Sequence, residues 1–133
     1  MGRRKKPAKS EQELYTFMSK MLVPEFILDN FKISDIAERK EYWLIEIQEK
    51  EDRVPVVLIH KKDVVLDGFC HPIELLSHSF SLKPVYLRVY RRRWKKSGED
   101  QHYSNQYDLT IEGIKMVPEL GIFLKEEDRR LSG

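Results

Sequence analysis

The chain has 133 residues, of which 41% are apolar and one is cysteine; this suits a single domain with its own core and excludes an internal disulfide. No apolar run is long enough for a membrane span, and the basic residues near the start are not followed by a signal-type apolar stretch. We therefore expect a reduced, cytoplasmic protein with no membrane partner.

The net charge of +2 conceals an uneven distribution of charge along the chain. Residues 1–10 carry +5 and residues 85–96 carry +6, whereas the stretches 11–84 and 97–133 are acidic, at −5 and −4. Because the electrostatic field depends on where charges lie, each basic block can attract phosphate locally. A solvated face without any partner is the alternative interpretation of such runs.

The first ten residues contain no large apolar side chain after Met1, so residues 1–10 are predicted to be a disordered basic arm and 11–130 a single domain. The candidate nucleic-acid contacts of the arm are Arg3, Arg4, Lys5 and Lys6. Ser10 and Glu13 have the spacing of a capping box, and apolar residues at helical spacing predict a helix over 11–22.

A second, shorter helix is predicted over 25–30, after Pro24, and we expect both helices to pack in the core rather than to form a partner-binding surface. Strand-like apolar runs follow at 31–36, 42–49, 56–59 and 64–70. Residues 71–84 have no clear pattern, and a short turn at 73–76 is the expectation there.

The strongest strand pattern covers 85–94, VYLRVYRRRW, and the turn signal Ser97-Gly98 leads into a second run at 102–111. This pattern predicts a long antiparallel basic hairpin. A final helix is predicted from Pro118 to near Arg130. The expected fold is α+β, with N-terminal helices, a small antiparallel sheet containing the long basic β-hairpin, and a C-terminal helix.

Alternation divides the first hairpin strand into two faces. Val85, Leu87 and Val89 would pack on the core, with Arg91 and Arg93 continuing that row beyond it. The opposite face would carry Tyr86, Arg88, Tyr90, Arg92 and Trp94. Arginine forks bind phosphate or a guanine edge, and aromatic rings pack against sugars or bases, so this face predicts nucleic-acid binding.

A competing interpretation has these arginines stacking on tyrosines and pairing with acids such as Asp108 or Glu112. The nucleic-acid interpretation is favoured because three consecutive arginines are followed almost at once by two lysines, and because a two-stranded ribbon fits the major groove of DNA. The candidate contacts on the hairpin are Arg88, Tyr90, Arg91, Arg92, Arg93, Trp94, Lys95 and Lys96.

Patterns that would indicate catalysis or metal binding are weak. Cys70 and His71 are adjacent, but the four histidines have no ligand spacing, so no metal and no cofactor is predicted. The acids lie mostly in turns and charged stretches, and no phosphate-cradling glycine loop is present. We therefore predict no catalytic residues and a protein that is not an enzyme.

Five segments in order resemble the small N-terminal-region proteins of ISAon-type insertion-sequence transposases: LVPEFILDNFKI, YWLIEIQEK, DGF, KPVYLRVYRRRWKKSGE and PELGIFLKE. The resemblance covers about residues 14–127, and the hairpin strand is its most specific part. That strand is also similar to one that leads into a zinc ribbon in a related transposase group, but this chain lacks the ribbon's cysteines. The resemblance implies a bacterial mobile element and a companion catalytic transposase polypeptide, encoded separately or joined to this one.

Together these patterns predict a non-catalytic accessory domain of a transposase that contacts double-stranded transposon-end DNA through the basic hairpin. The alternative is a protein-interaction module whose acidic body or terminal helices dock the catalytic subunit without binding DNA. RNA binding through the same Tyr/Arg/Trp face is a third interpretation.

Overall fold

The computed structural model describes residues 8–109 and 114–116 of the chain. Within these residues two helices, α1 (Glu11–Leu22) and α2 (Glu25–Leu28), precede the strands, and a 3-10 turn, η1 (Val56–Leu58), interrupts them. The strands are β1 (Phe31–Glu38), β2 (Trp43–Glu49), β3 (Val64–Phe69), β4 (Ile73–Leu76), β5 (Val85–Tyr90), β6 (Arg92–Lys96), β7 (His102–Tyr103) and β8 (Lys115–Met116). This content confirms the α+β class. Residues 1–7 of the predicted basic arm, including Arg3 to Lys6, and the predicted C-terminal helix lie outside the described residues.

Five strands form the larger sheet, in the order β1-β2-β5-β4-β8. Neighbours are antiparallel except for β2 and β5, which run parallel with Ile45 opposite Leu87. The sheet is therefore mixed rather than purely antiparallel as predicted. The long connection between β2 and β5 makes this arrangement available, because a parallel pair needs a crossover that returns the chain to the same end of the sheet.

The smaller sheet has the order β3-β6-β7 and is antiparallel. Its central strand, β6, continues directly from β5 after the single residue Arg91, so one extended segment passes from the larger sheet into the smaller one. The predicted long hairpin is much shorter than expected, because the return strand ends at Tyr103. Residues 104–108 leave the strand, and Asn105 and Tyr107 bond to Glu49 at the end of β2 instead.

The main core lies on one face of the larger sheet. The predicted row Val85, Leu87 and Val89 is buried there, as expected from the alternation of β5. The buried residues that complete this core are Val23, Ile27, Phe31, Ile45, Ile47, Leu75, Leu109 and Ile114. The end of α1, α2 and the chain after β7 thus cover the same sheet face.

Helix α1 has the predicted bounds, and Ser10 caps it by accepting a hydrogen bond from the Glu13 backbone amide at 3.1 Å. The prediction that both helices pack in the core is correct for α2, where Ile27 is buried, but wrong for α1. The apolar side chains of α1 that are about half exposed or more are Leu14, Tyr15, Phe17, Met18 and Met21. Only the C-terminal end of the helix, at Leu22 and Val23, packs against the core.

Two short segments differ from the sequence-based expectation. The apolar run at 56–59 is the 3-10 turn η1 rather than a strand, since it follows Pro55 and buries only Leu58. The expected turn at 73–76 is instead strand β4, which places Leu75 opposite Leu87. Its pairing partner lies more than ten residues away in sequence, so no local pattern could indicate it.

Candidate nucleic-acid interface

The alternation of buried residues slips by one position at Arg91. In β5 the odd-numbered residues through Val89 are buried, whereas in β6 the buried residues are Arg92 and Trp94. Arg91 lies between the strands, and its carbonyl accepts a hydrogen bond from the Cys70 amide at 2.9 Å. Tyr90 and Arg92 still lie on the same side of the chain, since both contact the Phe69 ring, but that side is the covered one in β6. The predicted face from Tyr86 to Trp94 is therefore not exposed along its whole length.

Arg92 is turned inward and is bound at the end of β2. Its backbone amide donates to Glu49 Oε1 at 2.8 Å, and its Nε donates to the Glu49 carbonyl at 2.7 Å. Its Nη2 lies 3.5 Å from Glu51 Oε1, and its guanidinium carbon lies 4.9 Å from the centre of the Phe69 ring. These contacts use the guanidinium within the fold.

Glu49 is fully buried and is the centre of a polar network. Asn105 Nδ2 donates to its Oε2 at 2.9 Å, and the Tyr107 hydroxyl donates to the same oxygen. Burial raises the pKa of Tyr107, and the bond to Glu49 raises it further. Arg91 Nη1 donates to the Asn105 carbonyl at 3.2 Å, so the junction between β5 and β6 is tied to the same network.

Arg88 and Tyr90 lie on the other face of the larger sheet, where both are engaged in contacts. Arg88 Nε lies 3.1 Å from Glu74 Oε1, and the two side chains are only 16% and 9% exposed. Burial raises the pKa of Glu74, against the attraction of the guanidinium. Tyr90 packs edge to face on Phe69 at 5.8 Å.

The competing interpretation, in which arginines pair with acids, thus describes Arg88 and Arg92, and Arg93 forms a more exposed pair with Asp67. The acids that lie beside these two arginines are Glu74 and Glu51, and Glu112 lies outside the described residues. Trp94 is buried opposite Leu66 and Tyr103, so its ring is not presented for stacking on a base.

The outward face of the smaller sheet carries Arg93 and Lys95, which alternate with the buried Arg92 and Trp94. Arg93 Nε donates to the Asp67 carbonyl at 2.9 Å, and its Nη2 lies 3.7 Å from Asp67 Oδ2. His102, which lies opposite Lys95 in the register, bonds to the same carboxylate oxygen. The hydrogen bond from His102 lowers the pKa of Asp67; its slight desolvation opposes this shift, and the charges of Lys95 and Arg93 add to it. Several basic groups therefore surround a single carboxylate.

Two further lysines lie beside the hairpin turn. The Ser97 amide donates to the Asp63 carbonyl at 2.7 Å, which places the turn that contains the exposed Lys61 and Lys62 next to the turn of the hairpin. Lys96 lies opposite Val64 in the same region. We use the name hairpin surface for Arg93, Lys95, Lys96, His102, Lys61 and Lys62.

Sequence analysis identified Arg93, Lys95 and Lys96 but missed His102 and the two lysines before β3. The turn length could have indicated His102, because a hairpin closing at Ser97-Gly98 brings the strand after the turn back beside Lys95. Lys61 and Lys62 approach through the pairing of β3 with β6, which is long-range and leaves no local signal.

Within 8–109 and 114–116, no three His, Cys, Asp or Glu side chains are grouped closely enough to hold a metal ion. No helix in this described part is long and apolar enough to cross a membrane. The single cysteine, Cys70, is a partly buried free thiol.

Comparison of the chain with protein-family models, with curated proteins and with solved structures finds no match.

Proposed function

We propose that this chain is a non-catalytic accessory domain of a transposase that contacts double-stranded transposon-end DNA through the hairpin surface. The observation that carries the proposal is the grouping of Arg93, Lys95 and His102 on one outward sheet face around the carboxylate of Asp67. The adjoining turns carry lysines and also the acids Asp63, Glu99 and Asp100. The resemblance of the hairpin strand to ISAon-type N-terminal-region proteins supplies the transposase context.

The contacts within the fold restrict which of the candidate basic side chains could contact DNA. Arg88 and Arg92 hold the strand in place through Glu74 and Glu49, so their role in binding is indirect. Arg93, Lys95 and Lys96 are partly exposed and belong to the surface itself. The basic arm, Arg3 to Lys6, adds a second positive block that would act as an electrostatic tether.

The proposed mechanism begins with attraction of phosphates to this surface. Lysine ammonium groups meet phosphate as point charges, while the guanidinium of Arg93 can bind a phosphate through two parallel hydrogen bonds. Phosphate contacts position a protein on DNA but do not read its sequence. Discrimination of a transposon end would therefore require base contacts in addition to the phosphate contacts.

The test is fluorescence-anisotropy titration of the full chain with a terminal-repeat duplex and a scrambled duplex over a series of salt concentrations. The variant K95A/K96A is compared with K32A/K40A, which also removes two positive charges but from β1 and the loop after it. We expect K95A/K96A to weaken binding and to reduce the slope of log affinity against log salt by about 1.8, since each phosphate contact contributes about 0.9. The control should keep the wild-type slope.

Two results would contradict the proposal. Absence of binding at low salt would show that the hairpin surface does not contact DNA. Equal losses in K95A/K96A and K32A/K40A would show that binding depends on net charge rather than on this surface. Binding of both duplexes with equal affinity would retain the DNA contact but remove the role in recognising the transposon end.

A second candidate function is docking of the catalytic subunit without DNA binding. It is favoured by η1, where Val56, Val57 and Ile59 are exposed around the buried Leu58. Exposed apolar side chains grouped in this way are typical of protein interaction sites. V57D would abolish binding of the purified catalytic subunit under this hypothesis, while under the DNA hypothesis it would leave DNA affinity unchanged.

A further inference from the structure

Helix α1 presents an apolar stripe that the described part of the chain leaves exposed. Leu14, Phe17 and Met21 recur at intervals of three and four residues and therefore lie along one side of the helix. Their exposed fractions are 47%, 51% and 70%, and the adjacent Met18 is 60% exposed. Apolar residues at this spacing are usually buried against another element, so the stripe is a surface that needs a partner.

The length of α1 leads to the same requirement. Helices of 12 residues are marginal in water on their own, and most helical stability comes from packing of the apolar side. The Ser10 cap stabilises one end of the helix, and at the other end the small polar Ser19 is buried and Leu22 and Val23 reach the core.

Charges beside the stripe indicate which partner fits. Glu13 directly precedes Leu14, and Lys20 directly precedes Met21, so the two charges lie seven residues apart along the same edge of the stripe. If two such helices pack antiparallel about a twofold axis near Phe17, Glu13 of each copy faces Lys20 of the other. The same contact then forms twice, which is the geometry of an isologous interface.

The present partners of these two charges are weak. Ser10 Oγ lies 3.4 Å from Glu13 Oε1, and Lys20 Nζ lies 3.4 Å from Glu25 Oε1, both at exposed positions. Exposed ion pairs of this kind contribute little, so both side chains can exchange partners at small cost.

We propose that α1 pairs antiparallel with α1 of a second copy of this chain, with Leu14, Phe17 and Met21 as the contact stripe and Glu13–Lys20 pairs at its edges. A 12-residue helix is about 18 Å long, so the contact is smaller than a standard stable interface, and the dimer is reversible. This inference does not depend on DNA binding.

The test is sedimentation equilibrium of the full chain over a wide range of concentration. We compare the wild type with E13K, K20E and the double swap E13K/K20E. Each single reversal places two like-charge contacts in the dimer and should weaken association about tenfold, since two pairs change from attraction to repulsion. The double swap restores both opposite-charge contacts and should return the dissociation constant close to the wild-type value. K40E, a charge reversal at an exposed position in the loop after β1, is the matched control and should leave association unchanged.

The outcomes of this experiment distinguish pairing with a second copy from other occupants of the stripe. A chain that stays monomeric at every concentration would overturn the proposal and would leave the stripe to residues 117–133 or to a different protein. A dimer that is insensitive to the single reversals would overturn the antiparallel arrangement. Replacing Leu14 and Met21 by glutamate should abolish association, and circular dichroism of these surface variants would establish that the fold is retained.

Discussion

Two halves of one extended segment, β5 and β6, are held in place in different ways. In β5, Val85, Leu87 and Val89 are buried in the apolar core of the larger sheet. In β6 the buried positions are Arg92 and Trp94, and Arg92 is held by hydrogen bonds to Glu49. The first half is thus stabilised by apolar burial, and the second half by a polar network.

The comparison shows that a run of arginines in a sequence is not equivalent to a basic surface. A buried guanidinium needs hydrogen-bond partners, and the chain provides them at Glu49 and Glu51. Once Arg92 is satisfied internally, the next residue, Arg93, faces outward with Lys95. The segment therefore exposes less positive charge than its composition indicates. In β6 this charge lies on the side of Arg93 and Lys95, not on the predicted side of Arg92 and Trp94.

The largest expected effect on the comparison between β5 and β6 is that of the variant E49A. Removal of the carboxylate leaves the Arg92 amide and the Tyr107 hydroxyl without their acceptor inside the protein, and Asn105 keeps only its bond to the Arg53 carbonyl. We expect the free energy of unfolding to fall by about 3–5 kcal/mol, as for other buried polar groups that lose one partner. Urea denaturation measures this loss. E51A, which removes an exposed acid two residues away, should cost less than about 0.5 kcal/mol, and equal losses in the two variants would contradict the role of the network.

A smaller effect is expected at the pair of Arg88 and Glu74, which lies on β5 and β4. Either single change to leucine leaves the partner charge partly buried and should cost about 2–3 kcal/mol in urea denaturation. The double variant R88L/E74L should be close to wild type, because apolar residues of similar size can replace a buried ion pair. The raised pKa of Glu74 agrees with this expectation, since it means that burial disfavours the ionised carboxylate in the fold. A double variant as unstable as either single one would show that the pair is needed for β4 to join β5.

The smallest effect concerns Asp67 on the outward face of the smaller sheet. Its pKa is lowered in the fold, so its ionised form stabilises the native state at pH values above its unfolded pKa of about 3.9. This contribution is lost as the pH falls below 4 and through the lowered pKa. We expect D67N to reduce the urea midpoint at neutral pH and to converge with wild type in acid. A constant difference between the two proteins down to the lowest pH would contradict this assignment.

Local signals in the sequence predicted the local parts of the fold. The bounds of α1 follow from the capping box at Ser10 and the apolar spacing behind it, and the buried row of β5 follows from strict alternation on a one-sided sheet. The strand at β4 and the parallel pairing of β2 with β5 were missed, because both depend on partners far away in sequence. A single sequence contains no record of such pairings.

The candidate site was predicted in part for the same reason. The basic block was located correctly along the chain. The burial pattern slips by one position at Arg91, however, so the side of β6 that is buried was predicted wrongly. That slip depends on the Cys70 amide, 21 positions earlier, and on the Glu49 side chain, 43 positions before Arg92. Alternation alone could not indicate it.

The continuity of β5 and β6 has a mechanical consequence. Since only Arg91 separates the two strands, the hairpin surface is joined to the packed core without a flexible linker. The hydrogen bond from the Arg92 amide to Glu49 also holds this junction in place. A load applied at the hairpin would therefore be transmitted into the larger sheet rather than absorbed by hinge motion. A partner that meets this surface would encounter a backbone already fixed in position, with Arg93 and His102 held by Asp67, and would lose conformational entropy mainly in ordering the lysine side chains.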